Sequence, residues 1–188
     1  MSNSREQILL STCELLENQG FHATGLNEIV KESGAPKGSI YYYFPEGKEE
    51  IVAATVQFAG QRTAERIRAH LAGVADPADA VRSFLETIAY HMEASGFRSG
   101  GPLTIVASES ATTHERINQA CQVAYTELRE AFADKLRASG IEDTTAVSLA
   151  WTINAAIEGA IILSRTFHSG APMREAGGQL ARLIRQCQ

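Results

Sequence analysis

Residues 24–48 read Thr-Gly-Leu-Asn-Glu-Ile-Val-Lys-Glu-Ser-Gly-Ala-Pro-Lys-Gly-Ser-Ile-Tyr-Tyr-Tyr-Phe-Pro-Glu-Gly-Lys. Thr24 suits an N-cap, because its hydroxyl can accept from an unpaired amide in a first helical turn. Leu26, Ile29 and Val30 then share one helical face. Gly34 stops that helix, since glycine enters the left-handed region without a Cβ penalty. Ala35-Pro36 makes a short turn, and proline has no N–H to leave unpaired at the start of the next helix. Lys37 to Tyr43 forms that second, short helix, anchored inward by Ile40, Phe44 and part of a tyrosine. Two helices joined this tightly form a helix-turn-helix, which sets its second helix in a DNA major groove.

Working outward, Ser4 caps a first helix over about residues 5–19, with Ile8, Thr12, Leu15, Leu16 and Gln19 on its inner stripe and Gly20 at its end. Phe21 plugs the junction. Two short helices alone bury too little surface, so the helix-turn-helix needs this one. A fourth helix runs from Lys48 to about Ala72 without a proline, Gly60 being its weak spot. A fifth covers about residues 77–94, with Val81, Phe84, Leu85, Ile88 and Met92 inside. After a glycine-rich loop, Pro102 opens a sixth helix to about Ser110. The seventh spans about 113–139, with Ile117, Cys121, Ala124, Leu128, Phe132 and Leu136 on one stripe. The eighth spans about 143–169 and the ninth about 172–187. No strand pattern or repeat interrupts them. The fold class is all-α, with about nine helices.

Composition sets bounds on function. A chain of 188 residues, 44% apolar and 21% charged, can bury a real core. No run approaches the roughly 18 apolar residues of a membrane span. The start, Met-Ser-Asn-Ser-Arg-Glu, lacks the apolar centre of a signal peptide, so a cytoplasmic protein is expected. Cys13, Cys121 and Cys187 lie far apart and read as reduced thiols, with a redox-sensing pair as the sharper alternative. The net charge of −5 argues against a general nucleic-acid coat protein. Within residues 1–50, Arg5, Lys31, Lys37 and Lys48 face eight glutamates, so DNA binding needs a local positive face with the glutamates turned away.

The helix, Ser-Gly-Ala-Pro-Lys-Gly-Ser-Ile-Tyr-Tyr-Tyr-Phe and the following Lys48-Glu49-Glu50 resemble the DNA-binding domain of the TetR family of repressors, from about Arg5 to Ile51. Phe44-Pro45-Glu46-Gly47-Lys48 is one residue longer than the commonest family form, as in the LmrA-like branch. The resemblance implies a DNA-binding domain over residues 1–50 and a helical effector-binding and dimerisation domain over 51–188. It implies a ligand-responsive transcriptional regulator, a homodimeric repressor released from a two-fold operator by a small, largely apolar effector. No cofactor or metal is expected. The alternative is a helical small-molecule-binding protein without a regulatory role.

Lys37, at the start of the reading helix, can donate to guanine O6 and N7. Gly38 lets backbone and base approach closely. In the resembling family these two positions and that of Tyr42 commonly touch bases. Asn27 stands where the family often has arginine, and can pair with adenine at shorter reach. Thr24, Ser39, Tyr41, Tyr43 and Lys48 suit phosphates, Tyr43 reading equally well as core. By resemblance, Phe84, Ile88, Met92, Leu103, Val106, Tyr125 and Trp151, with Phe97 and Ile157, line an effector chamber. His91, Glu109, Tyr125, Asn154 and Glu158 are candidates to orient its ligand. Ala155, Ala156, Gly159 and Ala160 on helix eight, with Leu180, Leu183 and Ile184 on helix nine, are the expected dimer surface.

An enzyme needs a site, and none of the hydrolase, zinc-protease or nucleotide-loop signatures is present. His91 with Glu93, and His114 with Glu115, read as solvated helix faces rather than metal ligands. Gly100-Gly101-Pro102 reads as a helix break, with an anion site at the helix start as the alternative.

Overall fold

The computed structural model describes residues 4–98, 100–110 and 112–188. Among the described residues there are nine helices and no strand. They are α1 (Ser4–Ala23), α2 (Leu26–Ser33), α3 (Lys37–Tyr43), α4 (Lys48–Ala72), α5 (Pro77–Ala94), α6 (Pro102–Ser110), α7 (Glu115–Ala138), α8 (Asp143–Phe167) and α9 (Ala171–Arg185). Local chemistry explains the boundaries. Gly34 ends α2 in the left-handed region at φ 60°. Asp76 caps α5 by accepting from the Asp79 N–H at 2.8 Å, with Pro77 in the first turn. Gly20 breaks α1 with φ 77° and ψ −177°, and one further turn follows to Ala23.

The helices gather into two compact units, Met1–Gln61 with Gly101–Ala124, and Arg62–Gly100 with Tyr125–Gln188. The boundary expected at residue 50 falls inside the first unit, which takes in the first half of α4, all of α6 and the first part of α7.

In the first unit, Ile8, Leu9, Ile29, Ala35, Ile40, Phe44 and Ile51 form one buried cluster under α2 and α3. Leu9, outside the expected inner stripe, is buried here, whereas Gln19, expected in it, is not. The Gln19 amide is exposed and donates to Glu28 Oε2 at 2.7 Å. Gly60, expected to be a weak spot of α4, is a packing requirement: a Cβ there would come 2.5 Å from Ala124 Cβ on α7. The Thr55 hydroxyl, on α4, is buried and has no partner among the described residues. A buried hydroxyl without a partner costs stability. Thr55→Val is therefore expected to raise the thermal midpoint, by roughly 1–3 kcal/mol of stability. An unchanged or lower midpoint in calorimetry would contradict this.

In the second unit, Leu71, Val81, Leu85, Met92, Phe132, Leu136, Ile153, Ile161, Met173, Leu180 and Ile184 belong to one core. Arg174 on α9 clasps Glu93 on α5 through two bonds of 2.6 and 2.8 Å and reaches Glu86 at 2.7 Å. Such a two-pronged pairing adds direction to the apolar packing of α5 on α9. α8 is the one helix among the described residues long and apolar enough to cross a membrane, its best window having a mean hydropathy of 1.6 with 39% buried. That apolarity exceeds the sequence expectation. Scattered Ser148, Thr152, Asn154 and Glu158 break any continuous run while leaving the average high.

Candidate nucleic-acid interface

α3 has seven residues and is held from one side only. Ile40 and Phe44 are buried and pin it to the first unit's core. Successive side chains of a helix point 100° apart, so the remaining ones turn outward. Lys37 and Gly38 are exposed, Ser39 is half-buried, and Tyr41 and Tyr42 are 50% and 79% exposed. Tyr43 lies inward of them. Its ring stands edge-on to Tyr42 at 5.0 Å and tilted to Phe44 at 6.5 Å, and it packs against the core. Asn27 is exposed in the first turn of α2. Lys37 carries no ion pair among the described residues.

Two of the expected DNA contacts are differently engaged. Thr24 neither caps α2 nor faces solvent. Gly25 occupies the cap position, and the Thr24 hydroxyl, fully buried, donates to the Gly20 carbonyl at 2.6 Å. A threonine hydroxyl can bond back to the carbonyl four residues earlier, and here that local partner wins. Lys48 is half-buried with its ammonium 4.1 Å from the centre of the Phe21 ring. Burial draws its pKa below the ordinary lysine value, against the opposing pull of the Glu109 carboxylate.

Part of the acidic excess of this region is turned to internal partners, Glu46 and Glu32 to cations and the others to amide or backbone N–H groups. Glu28 receives Gln19, Glu46 pairs with Arg116, Glu50 accepts from the Glu46 N–H at 2.9 Å, and Glu17 accepts from the Gly101 N–H at 2.7 Å. With Glu32, which pairs with Lys31 at 3.9 Å, five of the eight glutamates in residues 1–50 have internal partners, and none of them is on α3.

Three side chains that matter here were not read as such from sequence. Glu17, Glu109 and Arg116 tie α1, the end of α1 and the α3–α4 turn to segments more than 60 residues away. Glu109, expected to orient a ligand, accepts from the Phe21 N–H at 2.7 Å and the His22 N–H at 3.3 Å. The Gly100-Gly101-Pro102 step is a helix start whose Gly101 N–H already has Glu17. No sequence motif marks such long-range partners.

The expected effector residues divide. Leu103 and Val106 on α6 are buried in the first unit, and the other eight lie in the second. Met92 is 1% exposed within the second unit's core. Phe84 packs edge-on to Phe132 at 5.8 Å and to His70 at 5.4 Å, and Ile88 packs against the same core. Asn154 is buried and donates to the Tyr125 carbonyl at 3.3 Å, while Tyr125 and Glu158 are half-buried. His91 and Trp151 are exposed, and Trp151 carries the Arg129 guanidinium 5.0 Å over its ring. Helical rotation puts them on the outer side, away from Met92 and Ile153. An open surface cleft of about 380 Å³, lined by Glu46, Glu49, Glu115, Arg116 and Gln119, contains none of the ten.

The expected dimer residues divide too. Ala160, Leu180 and Ile184 face their own core. Ala155 and Gly159 are exposed on α8, as are Trp151, Ile162, Leu163 and Phe167, the last 69% exposed, and Leu183 is exposed on α9. Both sides of α8 are apolar, so periodicity alone could not say which side meets its own chain. Burial pushes the Cys121 thiol up to about 11, which keeps it protonated and unreactive. Among the described residues no three His, Cys, Asp or Glu side chains converge as metal ligands.

Comparison with known proteins completes these observations. Residues 8–55 match the family of bacterial regulatory proteins described as tetR family, and residues 77–179 match the transcriptional regulator LmrA/YxaF-like C-terminal domain. The chain is 34% identical over 184 residues to the HTH-type transcriptional regulator LmrA of Bacillus subtilis, covering 98% of each chain. It is 37% identical over 184 residues to YxaF of the same organism, an uncharacterized HTH-type transcriptional regulator, covering 98% of this chain and 96% of that one. Its fold matches the crystal structure of regulatory protein TetR from Rhodobacter sphaeroides with a TM-score of 0.82 at 22% identity, covering 96% and 98% of the two chains. The Bacillus relatives carry regulatory names, not enzymatic ones. Regulators of this kind bind operator DNA and small-molecule effectors and are dimers. The chain belongs to the TetR family of helix-turn-helix transcriptional regulators, with an LmrA/YxaF-like C-terminal domain.

Proposed function

We propose that the outward face of α3 reads DNA and that the protein is a repressor released by a small effector. The observation that supports this most strongly is the exposed row of Lys37, Gly38, Tyr41 and Tyr42 on a helix pinned by Ile40 and Phe44. Lys37 donates to guanine, Gly38 admits close approach, and Asn27 adds a contact from α2. Ser39 and Tyr41 hold phosphates, which fix register without carrying sequence information. Lys48 joins them only if its ammonium leaves Phe21.

Two copies pair through the bare apolar side of α8, with Leu183 of α9, and present α3 twice to a two-fold operator. A largely apolar effector enters the second unit beside Phe84, Ile88 and Tyr125, where Glu158 can orient it. It releases DNA by binding the DNA-free state better than the bound one. The protein acts in the cytoplasm.

Fluorescence anisotropy tests the reading, with DNA from upstream of the protein's own gene, or a site selected from a random pool, against scrambled DNA. Lys37→Ala is expected to reduce the preference for the specific site by about 1–3 kcal/mol. Equal preference in wild type and variant would remove Lys37 as a reader.

A further inference from the structure

We propose that Glu109 is a positioning residue for the DNA-reading surface, acting through the end of α1; this rests on the reading of α3 above. Gly20 interrupts α1 in a region of backbone space open essentially to glycine alone, with φ 77° and ψ −177°. The next two N–H groups, of Phe21 and His22, both donate to Glu109 Oε2 at 2.7 and 3.3 Å. A Cβ on residue 20 would collide with that carboxylate, so the missing side chain of Gly20 is what lets it seat.

The surroundings close the arrangement. The Phe21 ring lies between the Lys48 ammonium at 4.1 Å and the His114 ring, edge-on at 4.8 Å. Lys48 is drawn electrostatically to Glu109. Thr24 donates to the Gly20 carbonyl from the far side of the turn. Residues 20–24 are therefore held along their length, and they lead directly into α2 and α3.

The other end of α6 repeats the device in reverse. Glu17 on α1 accepts from the Gly101 N–H at 2.7 Å, just before α6 begins. Each helix thus offers a carboxylate to the other's backbone. The cluster of Ile8, Leu9, Ile29 and Ile40 joins α1 to the reading helices by packing, which has little directional preference. Charge-assisted bonds to backbone N–H groups are short and directional. The Glu109 bond therefore fixes where the α1–α2 corner sits against α6, and with it the pose of α3.

The test uses the full chain as wild type, Glu109→Ala and Glu109→Gln, titrated against the specific site and against scrambled DNA, with a melting curve for each. Glutamine keeps an acceptor oxygen at this place and alanine does not. Glu109→Ala is expected to bind the specific site at least tenfold more weakly while its affinity for scrambled DNA stays within twofold, and Glu109→Gln, whose neutral oxygen makes weaker bonds, to regain part of the loss. A loss of folded protein would lower both affinities in proportion, so the ratio separates pose from stability. A wild-type ratio in Glu109→Ala, a proportional loss of both affinities, or no recovery in Glu109→Gln would overturn the proposal. A wild-type protein with no preference for either DNA would overturn the reading of α3 as well, whereas a preference retained by Glu109→Ala would remove only the role of Glu109.

Discussion

Phe44→Ala is expected to destabilise the first unit by about 3–5 kcal/mol and to abolish DNA binding with it. Phe44 is 1% exposed and is among the largest fully buried side chains in the protein. It caps α3, its N–H donating to the Ile40 carbonyl at 2.8 Å, and the Arg5 guanidinium lies 5.7 Å from the centre of its ring. A helix of seven residues cannot persist alone in water. α3 depends on Ile40 and Phe44, with Tyr43 packed beside them, because Lys37, Gly38, Tyr41 and Tyr42 are turned outward. Removing the ring leaves a cavity and Ile40 as the fully buried anchor. Circular dichroism of the variant in denaturant should show part of the helical signal melting early, with the remainder at the wild-type midpoint. A single transition at the wild-type midpoint would show that Phe44 does not hold α3.

Met92→Ala is expected to cost about 2–5 kcal/mol, in the second unit. A methionine among apolar helix positions reads equally well as a flexible chamber wall or as core filler. Its burial at 1% within the same core as Leu85, Phe132 and Ile153 favours core. Urea unfolding measures the difference directly. A loss below about 1 kcal/mol would place an empty space beside Met92 and return it to the chamber, since truncation into existing space leaves no new cavity.

These two residues mark the limit of what sequence could carry. Helix ends were legible because their causes are local: Pro77 and Pro102 at starts and Gly34 at a stop. The reading helix was legible because Ile40 and Phe44 against Lys37, Tyr41 and Tyr42 define inner and outer sides within one turn or two. Thr24 was misread by a single residue. Gly25 took the cap, and the freed hydroxyl found the Gly20 carbonyl. The expected inner stripe omits Leu9 and includes Gln19, but Gln19 lies at the surface, where the Glu28 carboxylate accepts from its amide. The first unit's extent was out of reach. It depends on Glu17, Glu109 and Arg116 finding partners 84, 88 and 70 residues away, and isolated charges of that kind have no pattern. On α8 the difficulty was symmetry. With apolar residues on both sides, Gly159 and Ala160 read alike as contact surface, and only the packed chain separates the exposed one from the buried one.

A footprint on the DNA upstream of the protein's own gene, with wild type and Lys37→Ala side by side, tests the central claim most directly. The account predicts two protected half-sites about one helical turn, roughly 10 base pairs, apart, with protection by the variant requiring at least fivefold more protein. Protection identical in the two proteins, or none by wild type on this DNA or on a site selected from a random pool, would contradict it.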